Sequence, residues 1–335
     1  MKKSLTTLAL LAAGCISTSS HALNILVTND DSWHTKNIQT LFDKLKAAGH
    51  NVIMSAPCTG QSGKGGAIHF LKAVNVDTSQ IADGKVCVGD TDETVKFEDF
   101  VEGTPVMAAL YGIDVLAQQT WNAAPDLVIS GPNEGNNLGY MTNNSGTLGA
   151  ANVSIARGLP AIAVSADTST ETDADVNAVA DAVVEIVAEL VANQQAGQPL
   201  LPKFTGLNVN TPADMANVKG YKFTQVGWNA GGIDVKFAGD LSADQVVMGY
   251  VAQGILAAGY AQDMASAMQM AQSQYAGKAG VSIERSTPLV DDENTNSEGN
   301  AIAEGYITIS TIEANVQATQ SKTAWTRMQL NGLVD

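Results

Sequence analysis

The sequence predicts an α/β fold built on a mostly parallel sheet, with a C-terminal region of different character. Three observations carry this. Short apolar runs recur at Ile25-Leu26-Val27, Asn51 to Pro57, Pro125 to Ser130, Pro160 to Ser165 and Gly206 to Pro212. Runs of this length and β-branched content read as buried strands. Ala-rich helical stretches alternate with them, which is the α/β pattern. A strand, a helix and a second strand in order imply parallel pairing through a right-handed crossover.

The 335 residues suffice for one large or two small domains, and 45% hydrophobic content supports a sizeable core. Residues 1–22 have the plan of a signal peptide: Lys2 and Lys3, an apolar stretch from Leu5 to Ile16, and small residues at Ser20-His21-Ala22. The apolar stretch is too short to span a bilayer as a helix. A periplasmic or secreted protein starting at Leu23 is expected. Ala13-Gly14 before Cys15 leaves a lipoprotein signal as the alternative. Loss of Lys2 and Lys3 takes the net charge from −16 to −18. So acidic a body repels polyanions, which argues against a nucleic-acid duplex or an anionic membrane as partner. A small phosphorylated substrate stays compatible if a cation and backbone N–H groups supply local positive charge.

The elements follow in order. Ile25 to Val27 is the first strand, and Ile38 to Ala47 the first helix, ended by Gly49. Asn51 to Pro57 is the second strand. Ala73 to Asp99 reads as irregular strands that include Val86-Cys87-Val88. Pro105 opens a helix running to about Gln119. A strand from Pro125 to Ser130 leads into a Gly- and Asn-rich loop, Gly131 to Gly139. A helix from Leu148 to Ala156, a strand at Pro160 to Ser165, a long amphipathic helix from Asp175 to Gln194 and a strand at Gly206 to Pro212 complete the core, residues 23–218. Residues 219–335 read as an arm. Tyr221 to Phe237 suggests a hairpin around Gly231-Gly232, Leu241 to Gly277 helix, and Pro288 to Gly299 an exposed acidic loop. Tyr306 to Ile312 alternates as a strand, and Thr319 to Leu330 suits a terminal helix. Cys58 and Cys87 are the two cysteines of the mature chain, and export favours a disulfide over two buried thiols.

Asp30 and Asp31 mark the site. Two adjacent carboxylates stand at the carboxyl end of the first strand, where open α/β sheets bind ligands. Paired Asp beside amide and hydroxyl oxygens suits a hard divalent cation. The plainer reading makes one of them the N-cap of the following helix. Gly60 to Gly66, with Ser62, suits a ligand-facing loop, but its spacing is neither the Walker nor the dinucleotide pattern; a flexible surface loop is the alternative. Asn143 to Thr147 opens a helix whose N-terminus can hold an anion. His34, His50 and His69 stand alone and read as structural or exposed.

In order, these segments resemble the SurE family of survival-protein 5′/3′-nucleotidases and acid phosphatases. The matching stretches are Ile25 to Asp31, Ala56-Pro57 with Ser62-Gly63, Gly103-Thr104-Pro105, Pro125 to Gly139, Ser145 to Ala151, Leu207 to Pro212 and Glu304 to Ser310. The resemblance is tight from Asn24 to Pro212 and looser beyond. It implies a Rossmann-like sheet with helices on both faces, and a phosphomonoesterase using one divalent cation, Mg²⁺ or Mn²⁺. Metal ligands then fall on Asp30, Asp31, Ser62 and Asn133, with Asp30 and Asp31 central to catalysis. Phosphate-binding positions fall on Asn137, Ser145, Gly146 and Thr147. A homodimer through an exchanged C-terminal arm is implied as well.

The chain departs from the family pattern in four places. Ser32 replaces the usual Gly, Thr35-Lys36-Asn37 the usual Ala-Pro-Gly, Gly60-Gln61 the usual basic residues, and Tyr140 an acidic one. These departures loosen any inference about nucleotide preference. They also keep open a non-catalytic metal- or phosphate-binding protein on the same fold, and a metal-dependent hydrolase of a non-phosphate ester. Trp33 flanks the same crevice, either stacking on a nucleobase or covering the first helix.

Overall fold

A computed structural model describes residues 22–91, 99–170, 172–257, 259–285 and 296–333. The expected leader, residues 1–22, lies outside the described residues except for Ala22, as does most of the acidic loop expected from Pro288. The elements are β1 (Asn24–Thr28), α1 (Lys36–Ala47), β2 (Asn51–Pro57), β3 (Val76–Asp77) and β4 (Lys85–Val88). Next come α2 (Pro105–Tyr111) and α3 (Ala117–Trp121), joined through a π-helical turn, Gly112–Leu116. Then follow β5 (Leu127–Glu134), α4 (Gly146–Ala156), β6 (Ala161–Ala166), α5 (Asp173–Ala192) and β7 (Thr205–Asn210). The remainder is β8 (Tyr221–Thr224), β9 (Ile233–Ala238), α6 (Gln245–Ala257), α7 (Met264–Tyr275), β10 (Gly280–Arg285), α8 (Glu298–Ala303), β11 (Ile307–Glu313) and α9 (Gln320–Gln329).

Nine strands form one sheet in the order β3-β4-β2-β1-β5-β6-β7-β11-β8. The run from β4 to β7 is parallel throughout. Strand alternation sorts the core into two layers. Ile25 and Val27 pack with Ile38, Leu41 and Phe42 of α1 and with Val179, Val183 and Val187 of α5. Leu26, Ile53 and Val128 face the other way, onto Ile113, Leu116, Leu148 and Ile155. The α/β sheet with helices on both faces is therefore present. The order reverses at β1: the chain runs from β1 to β2 and β4 on one side, then crosses back to β5 on the other. Such a switch point opens a crevice beyond the strand carboxyl ends.

The region after residue 218 differs in detail from expectation. Tyr221 to Thr224 forms β8, but it joins the main sheet beside β11 instead of pairing across Gly231-Gly232. The small antiparallel sheet is made by β9 and β10, with Ile233 opposite Arg285. Hydrophobic alternation marks a strand but does not name its partner. The helical stretch is two helices, α6 and α7, over a small core of Leu241, Met248, Ala252, Ala267 and Ala271. Ser297 and Glu298, expected in an exposed loop, are fully buried at the start of α8. No helix of the described residues is long and apolar enough to cross a membrane. Cys58, just after β2, is bonded to Cys87 of β4, with Cα atoms 4.8 Å apart.

Candidate metal and phosphate site

The crevice at the switch point holds the two aspartates. β1 pairs Thr28 with Ser130 of β5 and ends there, while β5 runs on through a register shift to Asn133 and Glu134 beside β6. This sets Asp30 and Asp31 next to the Gly131–Glu134 end of β5. Gly131 makes that exit possible: its φ is 116°, and a Cβ there would sit 2.1 Å from the Val164 carbonyl oxygen. Only glycine fits so close a backbone approach. The Glu134 N–H donates to Asp31 Oδ2 at 2.8 Å, locking the ends of β1 and β5 together.

Asp30 is buried. Its Oδ1 accepts the Thr147 hydroxyl at 2.6 Å, and the Gly146 backbone N–H also bonds the carboxylate. Both donors belong to the first turn of α4, whose positive dipole end favours an anion. Ser145 is the N-cap of that helix: its hydroxyl accepts the Leu148 N–H at 3.2 Å. Neither Asp30 nor Asp31 is the N-cap of α1, which is Thr35. Gly146 has no room for a side chain, since a Cβ would lie 2.7 Å from Asp30 Cβ and 2.8 Å from Pro105 Cγ.

Burial raises both acids. Asp30 is pushed up to about 6, chiefly by desolvation, against the lowering effect of its hydrogen bonds. Asp31 is pushed up to about 7, by desolvation first and then by repulsion from Asp30. Among the described residues neither carboxylate has an ion-pair partner. Nor does any group of three or more His, Cys, Asp or Glu converge there. A cation in this crevice would thus rest on two carboxylates and neutral oxygens, an all-oxygen set suited to a hard divalent ion.

Neutral oxygens are at hand. Gln61 N–H donates to the Asp30 carbonyl at 2.6 Å, which tethers the loop carrying Ser62 beside the pair. The Ser62 side chain is exposed. Asn133 is half-buried, and its Nδ2 donates to the Gly135 carbonyl at 2.6 Å, leaving Oδ1 as the oxygen for a cation. Asn29 Oδ1 and Gln61 Oε1 are buried without a hydrogen-bond partner among the described residues, polar atoms of the kind a hydrated ion satisfies. Asn137 donates through Nδ2 to Ser165 Oγ at 2.8 Å and to Thr147 Oγ1 at 3.4 Å. The residues expected from the sequence thus lie on loops converging at one end of the sheet, around β1, β5 and α4. Thr147 and Gly146 donate to Asp30, Asn137 donates to Ser165, Asn210 and Thr147, and the Ser145 hydroxyl accepts from α4.

The departures in the chain have visible consequences. Ser32 adopts φ 102°, a left-handed conformation costly for a residue with a Cβ. It is held there by its hydroxyl on the Cys58 carbonyl at 3.0 Å and by Asn29 Nδ2 on its own carbonyl at 2.8 Å. Trp33 is 2% exposed, within the core under α1. That overturns base stacking in favour of the covering role, because a buried indole presents no face to a ligand. Tyr140 bonds the Asp234 carboxylate, joining the crevice loop to β9. Sequence reading missed Glu298 and Asn208, both fully buried and hydrogen-bonded to each other. The acidic, polar surroundings of Glu298 concealed its burial.

Comparison with known proteins shows which family this fold and sequence belong to. The family profile described as Survival protein SurE matches residues 25–232. An acid phosphatase of Yarrowia lipolytica is 37% identical over 203 residues, covering 56% of this chain and 56% of that protein. A 5′-nucleotidase SurE of Maridesulfovibrio salexigens is 36% identical over 146 residues, 44% of this chain and 52% of that one. The chain spans about half the length of these curated relatives. The crystal structure of the SurE protein from Aquifex aeolicus shares the fold, with TM-score 0.63 at 24% identity over 92% of this chain and 99% of that one. On the match across residues 25–232 and this shared fold, the chain belongs to the SurE family.

Proposed function

We propose that this chain is an exported phosphomonoesterase that uses one divalent cation, Mg²⁺ or Mn²⁺, to release phosphate from nucleoside 5′- or 3′-monophosphates or similar small esters. The observation that carries this is the pair of buried Asp30 and half-buried Asp31 at the switch point, with no ion-pair partner among the described residues. Metal dependence is general in the family, and the oxygen-only donor set fits it. Asp30, Asp31, Ser62 and Asn133 would hold the ion. Bound there, it would supply charge neutralisation for the phosphate oxygens and a more acidic water.

The protein's own groups do the positioning on which phosphoryl transfer depends. The Thr147 hydroxyl on Oδ1 and the Gly146 N–H hold and orient the Asp30 carboxylate. Glu134 N–H does the same for Asp31. Ser145, Gly146, Thr147 and Asn137 form the wall beside Asp30, where a phosphate would lie. Small residues there admit a terminal phosphate while the ester group stays outside. The Cys58–Cys87 disulfide supports export, since such bonds persist in oxidising compartments. Homo-oligomerisation through the C-terminal arm is supported by α9, none of whose residues is buried and which exposes Trp325 and Met328.

A substrate panel tests this reading. Nucleoside monophosphates and a small aryl phosphate should both release phosphate with added Mg²⁺ or Mn²⁺, and a carboxylic ester should not react. Turnover of the carboxylic ester alone would overturn the assignment, and cation binding with no turnover of any substrate would favour a binding protein.

A further inference from the structure

Glu298 is a carboxyl group with no exposed surface, on the first turn of α8 and beyond the residues matched to the family. Burial pushes its pKa up to about 7, so its place in the interior is costly. Its partner is Asn208 of β7, equally buried. Asn208 Nδ2 lies 2.9 Å from each Glu298 oxygen and 3.2 Å from the Asn137 carbonyl oxygen. One amide group therefore gives one hydrogen to the carboxylate and the other to the crevice loop. Ser310 of β11 supplies a further hydrogen bond to the carboxylate. Asn208 Oδ1 has no hydrogen-bond partner among the described residues. The orientation of this amide is set entirely by what Nδ2 donates to.

Asn137 is held on every side. Its N–H donates to Asn210 Oδ1 at 2.9 Å, and its carbonyl accepts from Asn210 Nδ2 at 3.2 Å as well as from Asn208. Its side chain reaches Thr147, and Thr147 donates to Asp30. An unbroken hydrogen-bonded line thus runs Glu298, Asn208, Asn137, Thr147, Asp30.

We propose that Glu298 is a positioning residue for the crevice: it orients the Asn208 amide, which fixes the Asn137 backbone and through it the Thr147 hydroxyl on Asp30. Ionised, above its raised value of about 7, the carboxylate can only accept, so it admits one orientation of Asn208, and the variants are compared on that side of the titration. A glutamine at 298 could present its own N–H to Asn208 Oδ1. The Asn208 amide would then turn over and put an oxygen against the Asn137 carbonyl, a repulsive contact. Only the kinetic part of this proposal rests on the phosphomonoesterase reading.

The test compares wild type, Glu298→Gln, Glu298→Asp, Asn208→Ala and the Glu298→Gln/Asn208→Ala double variant by hydrogen exchange and by phosphate release. In Glu298→Gln the amides of residues 136–139 and 147 should exchange at least about tenfold faster, with those of β1 and β5 unchanged. The kcat should fall about tenfold to a hundredfold with KM nearly constant, the signature of misplaced groups. Glu298→Asp, which keeps the carboxylate, should recover part of both. The double variant should be no worse than the worse single, because the two act in series. Wild-type protection of the loop in Glu298→Gln overturns the proposal. So does faster exchange spread evenly through β1 and β5, or additive losses in the double variant. Should Glu298→Gln not fold, Asn208→Ala gives the same readouts. If wild type releases no phosphate, the functional reading fails, while loop exchange still decides the positioning role.

Discussion

The Thr147 hydroxyl donates to Asp30 Oδ1 at 2.6 Å, across 117 positions of sequence. This bond ties the first turn of α4 to the end of β1, and it exists because Gly146 lets the helix close directly onto Asp30. Gly146→Ala should therefore displace the carboxylate. A Cβ 2.7 Å from Asp30 Cβ and 2.9 Å from its Oδ2 cannot be accommodated without movement. We expect kcat/KM to fall by about a hundredfold or more, as for a misplaced catalytic group. Cation affinity by calorimetry should weaken in parallel. Unchanged turnover in Gly146→Ala would show that Asp30 is not held by this turn.

Trp33 lies in the α1 layer and its backbone N–H donates to the Pro57 carbonyl at 3.0 Å. Trp33→Ala should cost about 3–5 kcal/mol of stability, the range for emptying a buried aromatic site. Its effect on kcat/KM should be the same for nucleotides and for a small aryl phosphate. A loss confined to nucleotides, measured on the folded variant, would restore the stacking role.

Cys58–Cys87 closes a loop with a sequence separation of 29. Chain-entropy arguments give about 3–4 kcal/mol for a loop of this size. Denaturant unfolding of a Cys58→Ala/Cys87→Ala variant should show a loss of that order with an altered midpoint. Thiol titration of the unreduced mature protein should find neither cysteine free. An unfolding midpoint unaffected by the double substitution would contradict the constraint.

The ion-free site should oppose folding as pH rises. Asp30 and Asp31 are raised to about 6 and about 7 from 3.8, so the folded state holds their protons more tightly than the unfolded state. Their contribution is fully present below about pH 4 and is lost as pH rises through about 7. In chelator, the melting temperature of wild type relative to Asp31→Asn should fall between about pH 4 and pH 8. Added Mg²⁺ or Mn²⁺ should restore wild type more at the upper end, where both carboxylates are ionised, and leave Asp31→Asn nearly unmoved. A relative melting temperature that rises over this range would reverse the assignment of the shifts.

Much of this arrangement was legible in the chain. Ile25-Leu26-Val27 ending in two aspartates announces a buried strand with charge at its carboxyl end, and the structure puts that end at the switch point. Ser145-Gly146-Thr147 reads correctly as a helix start, because an N-cap is a local signal. What those donors touch was not legible. The Thr147–Asp30 bond and the Glu298–Asn208 pair join residues 117 and 90 positions apart. Pairing of β8 with β11, and of β9 with β10, is likewise a choice among strands that alternation leaves open. Trp33 could be assigned to the core only when α1 was seen to pack over it. Polar composition pointed outward at Glu298, and a hydrogen-bonded partner on β7 let it turn inward.

The most direct test of the Asp30–Asp31 site is phosphate release from a small aryl phosphate by metal-stripped protein, titrated with Mg²⁺ or Mn²⁺, for wild type beside Asp31→Asn. Turnover should be absent in chelator, return with added cation, and stay down by orders of magnitude in Asp31→Asn although that variant folds. Full turnover in chelator, or in Asp31→Asn, would contradict a cation held by this pair as the seat of the chemistry.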